Sequence, residues 1–79
     1  MSNPKIKIDY IQSGDYKRMQ GKYEEAKAEY QKALEYYNTV IKDNPTDTDA
    51  RYYKGVALVR LGWYEAGAKE VYRAKKLNN

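Results

Sequence analysis

Displacing the chain along itself by 41 residues lays Gly21, Tyr23, Glu24, Glu29 and Ala33 over Gly62, Tyr64, Glu65, Glu70 and Ala74. The same offset lays Asn3-Pro4 over Asn44-Pro45 and Gly14 over Gly55, and residues 3–38 share nine identities with residues 44–79 in 36 ungapped pairs. A period between about 20 and 50 residues marks architectures in which one supersecondary unit stacks on a copy of itself. That feature limits the fold more than any other: what must be found is a unit that occurs twice and packs on itself.

Proline and glycine divide the chain into four segments. Asn3-Pro4 offers a cap followed by proline at a first helical position, so a first helix is expected to run to about Gln20 and stop at Gly21. A second begins near Lys22 and meets no breaker until Asn44-Pro45. Oxygens in the stretch from Thr46 to Thr48 can cap a third, which ends at Gly62; a fourth runs from about Trp63 to Leu77. No segment alternates β-branched residues in the manner of a strand. With connections this short the helices must lie antiparallel to their neighbours, giving an all-α fold.

The second helix carries Tyr23, Ala26, Tyr30, Ala33, Tyr37 and Val40 at spacings of three and four, which places them on one stripe. Alanine alternating with tyrosine lets a neighbouring helix approach closely at the small residues while rings fill the gaps, so Ala26 and Ala33 are expected at the closest crossings. Tyr64, Gly67, Val71 and Ala74 repeat the scheme in the fourth helix. A tyrosine stripe can also line a ligand site, but core packing is the plainer reading. Ten tyrosines and no phenylalanine mean that most rings pack while their hydroxyls reach the edge of a thin protein.

Composition excludes several classes of function. The 79 residues contain no cysteine and no histidine, which removes disulfides, thiolate metal sites and the commonest general base. A soluble protein of a reducing, cytoplasmic compartment is the expectation. The longest aliphatic run, Val56 to Val59, is too short to cross a bilayer, and the residues after Met1 do not form a signal peptide. The net charge of +4 is spread along the chain. Arg73, Lys75 and Lys76 cluster in the last turn of the fourth helix, where cations complement the helix dipole, so no nucleic-acid partner is expected.

A helix pair joined at glycine, with Gly-x-Tyr-x-x-Ala opening its second helix and alanine seven residues on, resembles the tetratricopeptide repeat. Gly14, Gly21, Tyr23, Ala26, Tyr30 and Ala33 carry the resemblance in residues 3–43; Gly55, Gly62, Tyr64, Val71 and Ala74 carry it in residues 44–79. It covers nearly the whole of a single domain, 1–79, and implies two helix-turn-helix units. The departures are specific. The family's repeat is about 34 residues, so the offset of 41 adds about two helical turns, Glu35 to Ile41, that keep the stripe in phase and lengthen helix two. Gly67 stands where the family prefers alanine, and Tyr10 or Arg51 where it prefers tryptophan.

The family mostly holds peptides in a concave groove lined by the first helix of each pair. Here the resemblance maps that groove to Ile8, Ile11, Asp15, Arg18 and Met19, and to Asp49, Tyr52, Val56, Val59 and Arg60. The lysine, arginine and asparagine with which one subset grips a peptide's terminal carboxylates are missing: the corresponding residues are Ile11, Gln12 and Asp15, with Asp49 and Tyr53. What is left is a mainly apolar surface suited to an amphipathic helix.

No catalytic motif, cofactor-binding loop or metal-ligand set is present. Asp43, Asp47 and Asp49 lack the mid-loop glycine and terminal glutamate of a calcium loop, and helix capping explains them. Two functions are therefore weighed. One is a non-enzymatic helical-repeat scaffold, assembled or engineered from such helices, with no evolved ligand; an in-phase insertion and a free-standing pair of units suggest it. The other is a natural interaction module that takes a peptide or helix of another protein in the groove. A monomer is expected, with a homodimer as the alternative. The extra turns carry Tyr37, Val40 and Ile41, which need cover from Ile6 and Ile8, from Leu77, or from a second copy; antiparallel geometry favours cover from within the chain.

Overall fold

A computed structural model describes the backbone of residues 5–78 and the side chains from Tyr10 to Asn78. It contains four helices, α1 (Lys5–Met19), α2 (Tyr23–Asp43), α3 (Thr48–Arg60) and α4 (Tyr64–Asn78), and no strand among the described residues. Each helix packs on the next, α1 on α2, α2 on α3 and α3 on α4. The two units expected from the sequence are α1–α2 and α3–α4. No helix among the described residues is long and apolar enough to cross a membrane.

The two hairpin turns are the same object. Gly21 and Gly62 take φ of +80° and +93°, the left-handed region that glycine enters without a Cβ clash. In the first turn the Gly21 N–H donates to Arg18 O and the Lys22 N–H to Lys17 O; in the second, Gly62 donates to Val59 O and Trp63 to Leu58 O. This paired closure satisfies the last carbonyls of α1 and α3 and points the chain back along itself. Between the units, the Asn44 N–H still bonds Val40 O, and Asp47 then caps α3 by accepting the Ala50 N–H at 2.9 Å. Of the oxygens between Thr46 and Thr48 it is the aspartate that caps; the Thr46 hydroxyl turns to Asn44 Oδ1.

The core is built from small residues and tyrosines. Ala33 and Ala57 are completely buried, beside Ile11, Tyr37 and Ala50. Ala26, Tyr30, Leu58 and Ala74 are buried as well. Glycines also mark close approaches between helices. A Cβ on Gly14 would stand 2.5 Å from the Tyr30 ring. On Gly67 it would stand 2.5 Å from Val59 Cγ2 and 2.7 Å from the Gly55 carbonyl oxygen, and on Gly55 2.8 Å from the Gly67 carbonyl oxygen. Helices α3 and α4 therefore cross glycine to glycine. Gly67, a departure from the family pattern, is what that crossing requires.

Tyr23 and Tyr64 correct the expected stripe. Both are first residues of their helices and stand 67% and 68% exposed. Each lies level with a hairpin turn, where the preceding helix has already ended and offers no wall. The rest of the stripe in α2 is buried through Ala26, Tyr30, Ala33 and Tyr37, with Val40 half-buried.

The extra turns of α2 find cover within the chain, part of it on α3. Val40 and Ile41 pack on the core cluster with Tyr53 and Val56 of α3. Tyr37 stacks on Tyr53 with centroids 5.8 Å apart and planes 24° from parallel, while Tyr36 meets Tyr37 edge-on at 5.2 Å. Helix α3 thus covers Tyr37; Leu77 remains half-exposed, and Ile6 and Ile8 lie outside the described side chains.

Two substitutions test this packing. Gly67→Ala gains about 1 kcal/mol of helix propensity, yet the added methyl meets backbone atoms that cannot rotate away, so a net loss of about 1–3 kcal/mol is expected in urea unfolding. A neutral outcome would mean that α3 and α4 separate freely. Replacing Val40 and Ile41 together by Ser should cost about 2 kcal/mol in total, since both are only partly buried, and should lower the melting temperature equally at low and high protein concentration. A loss confined to high concentration would instead place these turns in a dimer interface.

Candidate functional site

The first helices of the two units, α1 and α3, come together at one ion pair. Arg60 near the end of α3 donates from Nε to Asp15 Oδ1 at 2.8 Å and from Nη2 to Oδ2 at 3.2 Å, the parallel two-pronged geometry that suits guanidinium and carboxylate. Tyr30 of α2 donates its hydroxyl to the same Oδ1 at 2.5 Å. One carboxylate on α1 therefore ties down α2 and α3 together. Asp15 follows Gly14, the residue over which the Tyr30 ring lies, so the glycine that admits the ring also sets its hydroxyl on the acid.

The electrostatics follow from that geometry. Partial burial pushes the Asp15 carboxyl upward, but hydrogen bonds from Arg60 and Tyr30 and the charges of Arg60 and Arg18 outweigh it, and its pKa lies below the ordinary aspartate value. Burial and then the Asp15 hydrogen bond push the Tyr30 phenol up. The hydrogen bond to Asp15 raises Arg60 further.

The residues that the resemblance assigns to a groove separate into distinct environments. Ile11 is 6% exposed and belongs to the core, because its side of α1 faces α2 and α3. The Ile8 side chain lies outside those described. Val59 turns to α4 and lies against Gly67, which takes it out of an open groove. Asp15 is bound as above. Arg18 lies on an edge cleft of about 210 Å³ that also involves Tyr23, Tyr30, Arg60 and Leu61. Tyr52 is half-exposed, meets Tyr53 edge-on at 5.2 Å, and borders a recess of about 180 Å³ with Asp49, Ala74 and Lys75. Val56 is half-buried on the core cluster, and Met19 is 83% exposed. Tyr52, Val56 and Met19 thus keep apolar surface exposed to differing degrees, and the Asp15–Arg60 pair joins α1 to α3.

A second charge cluster went unread in the sequence. Glu70 of α4 is 7% exposed and faces three cations: Arg51 Nη1 and Arg73 Nη1, each at 3.2 Å, and Lys54 Nζ at 3.9 Å. Arg51 also donates from Nε to Pro45 O at 3.0 Å, binding the inter-unit turn to α3. A signal was available. Glu70 lies three residues after Gly67 and four before Ala74, on the buried side of its helix, and Arg51 replaces the aromatic Tyr10 of the first unit. A buried carboxylate and an arginine in an aromatic's place belong together.

Among the described residues no three or more His, Cys, Asp or Glu side chains converge as metal ligands, and Asp47, in the acidic inter-unit turn, is engaged as the α3 cap. Paired antiparallel helices with matched glycine turns and small-residue crossings define a helical-repeat protein. The tetratricopeptide repeat family model matches residues 11–77, and the chain belongs to that family. No curated protein and no solved structure matches the chain.

The Asp15 tie is tested by pH. Because the folded-state value is depressed, its contribution is fully present above the unfolded aspartate value of about 4 and disappears as pH falls through the lower folded value. Asp15→Asn should cost about 1 kcal/mol at neutral pH, as expected of a half-exposed ion pair, and should flatten the acid side of the stability curve. An unchanged curve below about pH 4 would show that the pair contributes nothing.

Proposed function

We propose that the chain is a non-enzymatic helical-repeat scaffold that holds an amphipathic helix of a partner protein along the α1–α3 face. The family resemblance implies that use of such hairpins. The observation that carries the reading here is Tyr52 and Val56, an exposed ring and, one turn further along α3, a half-buried aliphatic residue. Backbone fixed by the Asp15–Arg60–Tyr30 tie would present them with little ordering cost, which favours binding. An amphipathic helix anchors through residues spaced three and four apart, and Tyr52 and Val56 have that spacing.

A scaffold with no evolved ligand is the second reading, and a specific observation favours it. The charges nearest the α1–α3 junction, Asp15 and Arg60, are spent on each other and on Tyr30, so they are not aimed outward at a ligand.

Selection from a displayed library of amphipathic helices separates the two. Enriched binders that lose about tenfold or more in affinity on Val56→Asp, with the melting temperature retained, support the module. If no binder is enriched over an unrelated helical bundle, or if binders ignore both Val56→Asp and Tyr52→Ala, the scaffold without a ligand is the correct reading.

A further inference from the structure

On the other flank of α3, between the inter-unit turn and the last turns of α4, lies a cleft of about 320 Å³ bordered by Pro45, Arg51, Arg73, Lys76 and Leu77. Three of these five residues are cationic and none is acidic. The cluster behind them holds one carboxylate, Glu70, against Arg51, Lys54 and Arg73, so the local balance with Lys76 is four positive charges to one negative. Asp49, the acid closest in sequence to Arg51, borders the separate recess beside Tyr52, and Asp47 is engaged as the α3 cap. Helix-dipole complementation accounts for Arg73 and Lys76 at the end of α4, but not for Arg51, which arrives from another helix and converges on the same space.

We propose that this cleft binds an acidic, leucine-bearing segment of a partner protein, two carboxylates entering between Arg73, Lys76 and Arg51 and an aliphatic side chain resting on Leu77 and Pro45. Glu70 is the internal precedent: the same guanidiniums already receive a carboxylate at 3.2 Å. Arg73 is held by that contact yet its side chain is 61% exposed, leaving donors turned to solvent. An excess of fixed cations beside one desolvated acid raises the local potential and favours an incoming anion. Leu77 and Pro45 make the wall apolar, which suits a peptide side chain better than a hydrated phosphate backbone. The inference rests on the scaffold reading above but uses a different surface, reached from the opposite side of α3.

The test is calorimetric titration with a blocked peptide, acetyl-Leu-Glu-Glu-Leu-Glu-Glu-amide, and with its glutamine counterpart. Saturable binding of the acidic peptide alone is expected, weakened about tenfold by Arg73→Gln with Lys76→Gln. Removing equal charge from α2 by Lys27→Gln with Lys32→Gln should leave it unchanged, as should Val56→Asp. Absence of saturable binding, equal loss in both double variants, or displacement of the peptide by an equal concentration of inorganic phosphate would each overturn the proposal. If the peptide is lost on Val56→Asp and kept in the cleft variant, it sits on the α1–α3 face; the cleft is then wrong and the scaffold reading stands. Should the Arg73 change lower the melting temperature, Lys76→Gln alone, which breaks no ion pair among the described residues, decides the matter: unchanged affinity sinks the idea.

Discussion

Helices α3 and α4 touch through bare backbone at Gly55 and Gly67, and much of the rest of the second unit is arranged around that contact. With no Cβ on either side, the carbonyl oxygen of each glycine sits where the other's side chain would begin. The close approach brings Val59 and Val71 into the two flanks of the crossing and buries Ala74 one layer further along. It also fixes the register between the helices, which is why Glu70, three residues beyond Gly67, meets Arg51 and Lys54, respectively four residues and one residue before Gly55. In the first unit the crossing uses a different device, a glycine on α1 under a tyrosine ring on α2. Two solutions to the same packing problem thus stand side by side in one chain.

The tyrosines are the other consequence of thinness. A protein whose extents are 38 × 35 × 17 Å has almost no interior beyond the reach of its surface. A phenyl ring could fill the same volumes, but a phenol also lets the far end of the ring act. Tyr30 shows the gain most clearly: its ring covers Gly14 and its hydroxyl reaches Asp15, so one side chain both fills the α1–α2 crossing and joins the tie to α3. Tyr37 is 1% exposed, and burial, followed by the charges of Tyr53 and Tyr36, drives its phenol pKa well above the usual range. Its ring is wedged between Tyr36 and Tyr53, which is how two added turns on α2 acquire a wall without adding a helix.

Most of the architecture is legible in the sequence because it is written in local signals. Gly21 and Gly62 mark turns by a backbone requirement that involves only neighbouring residues, and the alternation of alanine and tyrosine marks a face by helical period alone. The misses share one cause. Tyr23 and Tyr64 obey the period, but whether a periodic position is covered depends on where the opposite helix stops. Tyr37, in the added turns, stacks on Tyr53 of the next unit, a contact that follows from how one hairpin leans on the other and that no local signal announces. The groove positions divide likewise: Ile11 and Val59 sit on the mapped faces by helical phase, yet Ile11 joins the core cluster and Val59, partly buried, lies against Gly67 of α4.

Arg51 and Glu70 show how the two units have diverged without losing the repeat. At the equivalent place in the first unit Tyr10 packs partly buried on the core cluster, and the counterpart of Glu70, Glu29, makes an exposed pair with Lys32. In the second unit the same i,i+3 pair recurs as Glu70 with Arg73, but the aromatic has become Arg51 and the carboxylate has sunk beneath it. A buried acid is costly to desolvate unless several donors meet it, and here three cations and the turn carbonyl of Pro45 share the arrangement. Conversion of an aromatic contact into an ionic one therefore needed more cation than the acid alone can neutralise. The surplus is not scattered: Arg51, Arg73 and Lys76 border one recess with Pro45 and Leu77, so α3 carries a cation at the place where α1 carries the packed ring of Tyr10.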